Sequence, residues 1–250
     1  MFSKTMRLCT LLSAALLLSA CSQSVFTKFN QQDISVKEKF YLSSNNYREL
    51  ISLYRESLKQ KEEPAIRYKL AESYYSIGDS RSSQLYLEPL LTSKDKKANV
   101  QDALLLQIKN NLHSGDYRQA VENADNMLLS YPNNGEAYNL LGIAYAKLGD
   151  YKQAKDNFNK ARSYFVDDVK VLNNLAMIDI LQKNYAGAVD ILLPQYTNGV
   201  KDNRLVHNLV FALVKKGDKK YALDIIEKEN LSEAPEALVE ELKSAKHISK

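Results

Sequence analysis

The fold of this chain is decided by residues 135–168, which read GEAYNLLGIAYAKLGDYKQAKDNFNKARSYFVDD. Apolar or small residues recur at i, i+3, i+4 and i+7 over 138–145, which is the spacing of one helix face. Gly149 is expected to end that helix in the left-handed conformation, and Asp150 is expected to cap the next one. Ala154 is small enough for two antiparallel helices to cross closely. The segment therefore predicts two helices joined by a short turn.

The turn inside this segment returns every 34 residues along the chain. Its copies are Gly115-Asp116-Tyr117, Gly149-Asp150-Tyr151, Lys183-Asn184-Tyr185 and Gly217-Asp218-Lys219, followed by Ala120, Ala154, Ala188 and Ala222. The residues expected to cap the first helix of a copy are periodic as well: Asn134, Asp168 and Asp202. A fixed period of this length indicates one helix pair stacked on copies of itself, with an extended surface and no enclosed catalytic cavity.

The pattern of residues 135–168 resembles the tetratricopeptide repeat. The aromatic, leucine, small and alanine positions of that repeat are occupied by Tyr138, Leu141, Gly142, Tyr145, Ala154, Phe158 and Ala161. The predicted fold is all-α: a right-handed superhelical solenoid over residues 34–250. The expected repeats cover 31–63, 64–100, 101–134, 135–168, 169–202 and 203–236, the second with an excess of three residues near 93–98, and a capping helix follows over 237–250. A helical bundle with chance spacing is the alternative, which four copies in one register disfavour.

Residues 1–20 have the layout of a secretory signal peptide. Lys4 and Arg7 precede a largely apolar run, which is too short for a membrane span of about 20 residues. The run ends in Leu18-Ser19-Ala20-Cys21, which resembles the lipobox of bacterial lipoproteins. That resemblance implies a diacylglycerol on the Cys21 thiol, cleavage just before this cysteine and acylation of the new amine. A plain signal peptide with an incidental cysteine is the alternative.

Lipidated Cys21 would anchor a mature chain of about 230 residues through a polar tether over residues 21–33. Each buried acyl methylene contributes about 0.8 kcal/mol, so one acyl chain binds a membrane weakly, whereas two or three hold firmly. Ser22 follows the cysteine where an aspartate would favour the inner membrane in enteric-type lipoproteins. We therefore expect the periplasmic face of the outer membrane, with acyl chains such as palmitate on Cys21 and no cofactor.

The composition is that of a folded protein with little tendency to bind nucleic acid. Hydrophobic residues make up 45% of the chain and charged residues 26%, both ordinary fractions. Loss of residues 1–20 lowers the formal net charge from +4 to +2, and the remaining charges of both signs are interspersed. Cys9 would leave with the signal peptide, so the mature chain is expected to have no disulfide.

No catalytic or metal-binding pattern accompanies the repeats. The three histidines, His113, His207 and His247, do not lie at metal-ligand spacing. The sequence also has no nucleophile elbow, phosphate loop or dinucleotide-binding fingerprint. We therefore predict a protein that is not an enzyme, with no metal and no small-molecule substrate, whose ligand is another protein.

In tetratricopeptide repeats the first helix of each pair lines the concave surface, and its positions 5, 6, 9 and 12 point there. The predicted partner-binding residues are Asn139, Ile143, Asn173, Asn174, Met177, Ile180, His207, Asn208, Phe211 and Val214. Ile143, Met177 and Phe211 would form an apolar stripe beside a row of amides, which can bond a peptide backbone in either sense. The alternative is that the tight superhelix or the terminal helix already fills part of this groove.

Lipobox and repeats together resemble the pilotin-type lipoproteins of secretin systems, and most of all the TadD family of the tight-adherence (Flp pilus) machinery. Residues 204–213, RLVHNLVFAL, resemble that family's R-V-R-x-N-L-A-L-A-L run. Residues 172–176, LNNLA, resemble its V-x-x-N-L-A segment, and Asn230-Leu231-Ser232 resembles its D-L-S tail. Val210 and Phe211 are larger than the family's residues. The resemblance implies an assembly factor that helps an outer-membrane secretin subunit reach its membrane.

Other functions share these features. A type IV pilus pilotin would be told apart by its genomic neighbours, and a subunit of the β-barrel insertion machinery by the loss of many outer-membrane proteins on depletion. A protease adaptor or a scaffold for peptidoglycan enzymes would co-purify with a hydrolase. An enzyme would require an acid or base lining the groove.

Overall fold

Thirteen α-helices and no β-strand make up the described part of the chain, residues 31–93 and 99–245 of a computed structural model. In chain order they are α1 (Gln31–Ser43), α2 (Tyr47–Gln60), α3 (Pro64–Ser76), α4 (Ser80–Leu91), α5 (Val100–Ser114), α6 (Tyr117–Ser130), α7 (Gly135–Leu148), α8 (Tyr151–Ser163), α9 (Asp168–Leu181), α10 (Tyr185–Thr197), α11 (Asn203–Lys216), α12 (Lys219–Lys228) and α13 (Pro235–Ser244). The predicted signal peptide, Cys21, most of the tether, most of the predicted excess near 93–98 and the end of the predicted cap lie outside the described residues.

The chain divides into two units, and the division falls inside α2, after Leu53. The first unit contains α1 and the start of α2, joined by a turn in which Asn45 has a φ of 51°. Helix α1 begins at Gln31, inside the segment 21–33 that the sequence assigned to the tether. No proline or glycine interrupts residues 31–43, so nothing in the sequence delays the start of this helix.

The second unit stacks helix pairs one on another. Each helix from α3 to α12 packs against the next helix in the chain, and the first helices of the pairs also contact one another in series: α3, α5, α7, α9 and α11. The second helices, α4, α6, α8, α10 and α12, make no such contacts with one another within the described part of the chain. The first helices therefore form one continuous surface, called here the first-helix face.

The turns within the pairs adopt the predicted left-handed conformation. Gly115, Gly149 and Gly217 have φ angles of 83°, 85° and 97°. The third copy of the turn has Lys183 at this position, with a φ of 61°. Glycine occupies this region without steric cost, whereas a residue with a Cβ does not, so the third turn carries strain that the others avoid.

Three of the four helix caps that the sequence predicted are found in the structure. Asp150 accepts a hydrogen bond from Gln153 N at 3.1 Å, and Asn134 and Asp202 cap α7 and α11 in the same way. The prediction that Asp168 caps α9 is wrong. The cap is Asp167, which accepts from Lys170 N at 2.8 Å, because Asp168 already lies in the helix, where its carboxylate bonds to Arg162.

Helices α7 and α8 cross as closely as the sequence predicted. Ala154 is fully buried, and a Cβ built on Gly142 would lie 2.7 Å from the ring of Phe158 and 3.2 Å from the carbonyl oxygen of Ala154. The equivalent alanines Ala120, Ala188 and Ala222 are also fully buried. Small residues at these positions therefore allow the helix pairs to close.

Helix α13 covers the end of the stack. Val239 is buried in one cluster with side chains of α11 and α12. Lys215, at the end of α11, donates to the carbonyl oxygens of Lys243 and Ala245 at 2.9 and 2.6 Å. Because the last carbonyls of a helix have no partner within it, Lys215 caps α13 as well as joining it to the last repeat.

Candidate functional site

Three helices, α7, α9 and α11, carry the predicted partner-binding residues. Side-chain hydrogen bonds join these residues from one first helix to the next: Asn174 Nδ2 donates to Asn139 Oδ1, and Asn208 Nδ2 donates to Asn173 Oδ1, both at 2.9 Å. The donor and the acceptor of each pair are 35 residues apart, which is one repeat plus one position. The amides expected to bond a partner's backbone therefore also bond each other.

Four of the ten predicted residues are buried. Asn139 is fully buried and Asn173 is 6% exposed. Ile180 and Val214, which occupy position 12 of their repeats, belong to the core cluster of the last repeats. They fill the contact between consecutive first helices, so they support the stack rather than present surface.

The other six predicted residues retain accessible surface. Met177 is 37% exposed, and Ile143 and Phe211 on either side of it are half-buried. His207 is exposed, and Asn174 and Asn208 are half-buried. The rings of Phe211 and Tyr185 meet edge to face, with their centroids 6.3 Å apart, and this contact limits the movement of the Phe211 side chain. An apolar row with Met177 at its centre is thus available on the first-helix face.

A pocket of about 340 Å³ lies on the same face, where α3, α5, α7 and α9 meet. Its apolar lining comes from Leu112, Leu140 and Ile143. Its polar lining consists of Tyr75, Lys109, His113, Glu136, Asn139, Lys147 and Lys170. Tyr75 and His113 meet edge to face at 5.9 Å and join α3 to α5. Side chains from four consecutive repeats therefore build this pocket.

Lysines dominate the charge of the pocket. Lys170 donates to both carboxylate oxygens of Glu136, at 2.7 and 3.0 Å. Lys109 and Lys147 have no hydrogen-bond or ion-pair partner among residues 31–93 and 99–245. The lining thus contains three lysines and one carboxylate, and only Lys170 of the three lysines has an ion-pair partner within the described ranges. Asn139 adds an amide nitrogen that is buried and has no partner in the same part of the chain.

Lys109 and Lys147 are not among the predicted partner-binding residues, although the repeat period leads to Lys109. Lys109 lies 34 residues before Ile143, at position 9 of the repeat that starts at 101. Lys147 lies one helical turn after Ile143. Extending the count of groove positions to this earlier repeat would have found Lys109, and only the packed structure brings it together with Lys147.

Residues 31–93 and 99–245 contain neither a metal-binding cluster nor a membrane-spanning helix. No three side chains of His, Cys, Asp or Glu come close enough together to hold a metal ion. None of the helices in these ranges has both the length and the apolar character needed to cross a membrane. The groups that the first-helix face offers are apolar side chains, amides, ammonium groups and carboxylates.

Comparison with known proteins identifies the repeat. A tetratricopeptide-repeat family model matches residues 111–168, from the end of α5 to the start of α9. A TPR repeat-containing protein of Methanocaldococcus jannaschii is 25% identical over 169 residues, which is 64% of this chain. The chain spans only 28% of the length of that relative.

Solved structures share the fold. A tetratricopeptide-repeat protein of Parabacteroides merdae matches with a TM-score of 0.65 at 15% identity, over 85% of each chain. A thermophilic TPR protein of Thermus thermophilus matches with a TM-score of 0.57 at 16% identity, over 72% of this chain and 98% of the other. A chain of the Cut9–Hcn1 hetero-tetramer of the APC/C matches with a TM-score of 0.64 at 15% identity. The match covers 82% of this chain and 40% of the other. These similarities confirm the predicted all-α solenoid of paired-helix repeats.

Proposed function

Because this chain is a tetratricopeptide-repeat protein, whose fold is a scaffold for protein–protein interaction, we propose that it binds a protein client on its first-helix face. The observation that carries the proposal is the accessible apolar row Ile143, Met177 and Phe211. Met177 is 37% exposed although apolar side chains flank it within the row. Burial of such side chains against a partner supplies binding energy in proportion to the apolar area removed from water.

Helix α11 combines this surface with the family-like sequence run. His207 is exposed and Asn208 half-buried, and Phe211 follows one turn later on the same helix. Residues 204–213 are also those that resemble the tight-adherence pilotin family most sharply. The client of the proposal is accordingly a secretin subunit of such a system, or another component of pilus assembly.

The second part of the proposal is a lipid anchor on Cys21, at the periplasmic face of the outer membrane. The support is the run Leu18-Ser19-Ala20-Cys21 behind a signal-peptide layout. An anchor at one end and a client-binding face in the repeats would raise the local concentration of the client at the membrane without any further contact. That is the physical task of a factor that delivers a secretin subunit to its membrane.

The client surface is tested by Met177→Asp, which places a charge at the centre of the apolar row. Detergent-solubilised membranes are used for pull-down, and the co-purified proteins are identified by mass spectrometry. We expect the secretin subunit to be lost from the Met177→Asp sample. Leu129→Asp is the matched control, because Leu129 is 84% exposed on α6, a second helix. Equal recovery of the client with both variants would place the binding surface elsewhere.

The anchor is tested separately. Cys21→Ser should move the protein from the membrane to a soluble fraction and remove incorporation of labelled palmitate. Membrane association that survives this substitution would refute the anchor but not the client surface.

Depletion of the protein should reduce the amount of one secretin in the outer membrane. A general loss of outer-membrane barrels would instead indicate the β-barrel insertion machinery.

A further inference from the structure

Helix α1, which is not part of the first-helix face, carries two apolar side chains on its outer surface. Val36 and Phe40 lie one helical turn apart, and each is 66% exposed. We propose that this surface of α1 lies against lipid, with Val36 and Phe40 among the acyl chains and with Lys37 and Lys39 at the headgroups. The proposal rests on the anchor proposed at Cys21, and it gives the folded chain a second contact with the same membrane.

Helix α1 matches α7 in the repeat register. In the turn after α1, the backbone N–H of Asn46 donates to the carbonyl oxygen of Tyr41 at 2.8 Å. In the turn after α7, the backbone N–H of Asp150 donates to the carbonyl oxygen of Tyr145 at 2.9 Å. Donor and donor, like acceptor and acceptor, are 104 positions apart, so this offset relates equivalent residues of the two helices.

The α7 equivalents of the two exposed apolar residues are buried. Leu140, the equivalent of Val36, is 5% exposed, and Ala144, the equivalent of Phe40, is fully buried. Both belong to a core cluster that includes Ile108 of the preceding repeat. Helix α1 has no repeat before it in the described part of the chain, and the apolar face of a terminal repeat needs a cover.

Two lysines flank the apolar pair. At 100° per residue, Lys37 and Lys39 project about 80° to either side of the direction midway between Val36 and Phe40. All four residues are exposed. An apolar strip between basic side chains is the layout of a helix that lies in a membrane interface, and it suits anionic headgroups. The half-buried side chains are on the other side of the helix: Ile34, Glu38 and Tyr41.

The proposed anchor would keep α1 close to a bilayer. Gln31, the first residue of α1, follows Cys21 by ten residues. A chain spans at most about 3.6 Å per residue, so α1 begins within about 36 Å of a lipidated Cys21. Tethering raises the local concentration of lipid around α1, so that a small apolar surface is enough for a contact that would be weak alone.

A second copy of the chain is the competing occupant of this surface. A stable interface between two proteins buries about 800 Å² on each partner, whereas α1 has 13 residues and three exposed large apolar side chains, Val36, Phe40 and Leu42. A two-fold contact would also bring the lysines of one copy close to those of the other, which is unfavourable. Lipid satisfies both the apolar pair and the lysines, and is therefore the better fit.

The chain contains no tryptophan, so Phe40→Trp introduces a single fluorophore into the proposed contact. The full chain with this substitution is purified from membranes in detergent and reconstituted into vesicles of phosphatidylcholine and phosphatidylglycerol. We expect brominated acyl chains to quench most of its emission. Leu85→Trp is the matched control, because Leu85 on α4 is 65% exposed, and its emission should be unchanged. Equal quenching at both positions, or none at position 40, would refute the contact.

The lysines are tested in the Phe40→Trp chain. Lys37→Gln, Lys39→Gln should reduce quenching in vesicles that contain phosphatidylglycerol and leave it unchanged in phosphatidylcholine alone. Lys152→Gln, Lys220→Gln is the control, since it removes the same charge from exposed lysines on α8 and α12. An equal effect of the two double substitutions would contradict a headgroup contact at α1.

Incorporation of labelled palmitate into the same preparation reports the anchor separately. A labelled chain without quenching at position 40 would refute the α1 contact and leave the anchor intact. An unlabelled chain with strong quenching would refute the anchor, whereas the α1 contact would stand. An emission shift to shorter wavelength that needs no vesicles and grows with protein concentration would show that a second copy covers α1, and the proposal would be wrong.

Discussion

Asn139 and Asn174 join two successive repeats through a side-chain hydrogen bond of 2.9 Å, and Asn139 is fully buried. Asn173 and Asn208 repeat the bond one step along the stack, at the same length. The paired amides connect α7 to α9 and α9 to α11. They therefore link the first helices by specific polar contacts, beyond the apolar packing of the core clusters.

Removal of one asparagine from such a pair should lower the free energy of unfolding. Asn174→Ala leaves both polar atoms of the Asn139 side chain buried without a partner, and we expect the free energy of unfolding to fall by about 1–3 kcal/mol. Urea unfolding followed by circular dichroism measures the change. Asn126→Ala is the control, because Asn126 is exposed on α6 and should change stability by less than about 0.5 kcal/mol. Equal effects of the two substitutions would mean that the bond contributes nothing.

The strained third turn should gain stability from glycine. Lys183 is exposed and has a φ of 61°, where the equivalent residues Gly115, Gly149 and Gly217 are glycines. Lys183→Gly should raise the free energy of unfolding by about 0.5–1 kcal/mol, since glycine adopts this conformation without a Cβ penalty. The reverse change, Gly149→Lys, should lower it. A lower stability of Lys183→Gly would show that the loss of unfolded-state entropy outweighs the relief of strain.

The close crossing of α7 and α8 predicts a compensating pair of substitutions. Gly142→Ala would bring its Cβ to 2.7 Å from the Phe158 ring, which is 1% exposed and has little room to move. We expect a loss of about 1–3 kcal/mol in the free energy of unfolding. Phe158→Leu in the Gly142→Ala background should cost less than Phe158→Leu alone, which a double-mutant cycle measures. Additive effects would contradict the contact.

The cap of α4 should make stability depend on pH. Asp79 accepts a hydrogen bond from Ser82 N at 3.0 Å, and the backbone and side chain of Ser82 lower the pKa of Asp79. Because the folded pKa lies below the unfolded value of about 3.9, the cap's ionic contribution is present above that pH and is lost as the pH falls through the folded pKa.

Asp79→Asn separates this charge from the hydrogen bond, since asparagine also caps helices but does not titrate. The difference in unfolding free energy between the wild type and Asp79→Asn should be largest near pH 7 and should shrink near pH 3. Asp79→Ala removes the cap altogether and should cost about 1 kcal/mol near neutral pH. A difference that is independent of pH would contradict the lowered pKa.

The helix pairs could be predicted because their signals are local. The turn glycines and the capping Asp150 act on residues within a few positions of themselves, and the buried Ala154 packs against the other helix of its own pair, so a period of 34 residues reveals them directly. The cap of α9 at Asp167 was missed because two adjacent aspartates offer the same chemistry, and only the backbone conformation distinguishes them.

The surface was less predictable, because its character depends on contacts between residues about one repeat apart. The repeat period predicted that Asn139, Ile180 and Met177 all bind a partner. The packing of neighbouring first helices buries Asn139 and Ile180 and leaves Met177 exposed. Lys109 and Lys147 are 38 residues apart and become neighbours in one pocket only when α5 packs against α7. Chain-local rules therefore specify the repeat, whereas burial and charge on its binding face arise from packing between repeats.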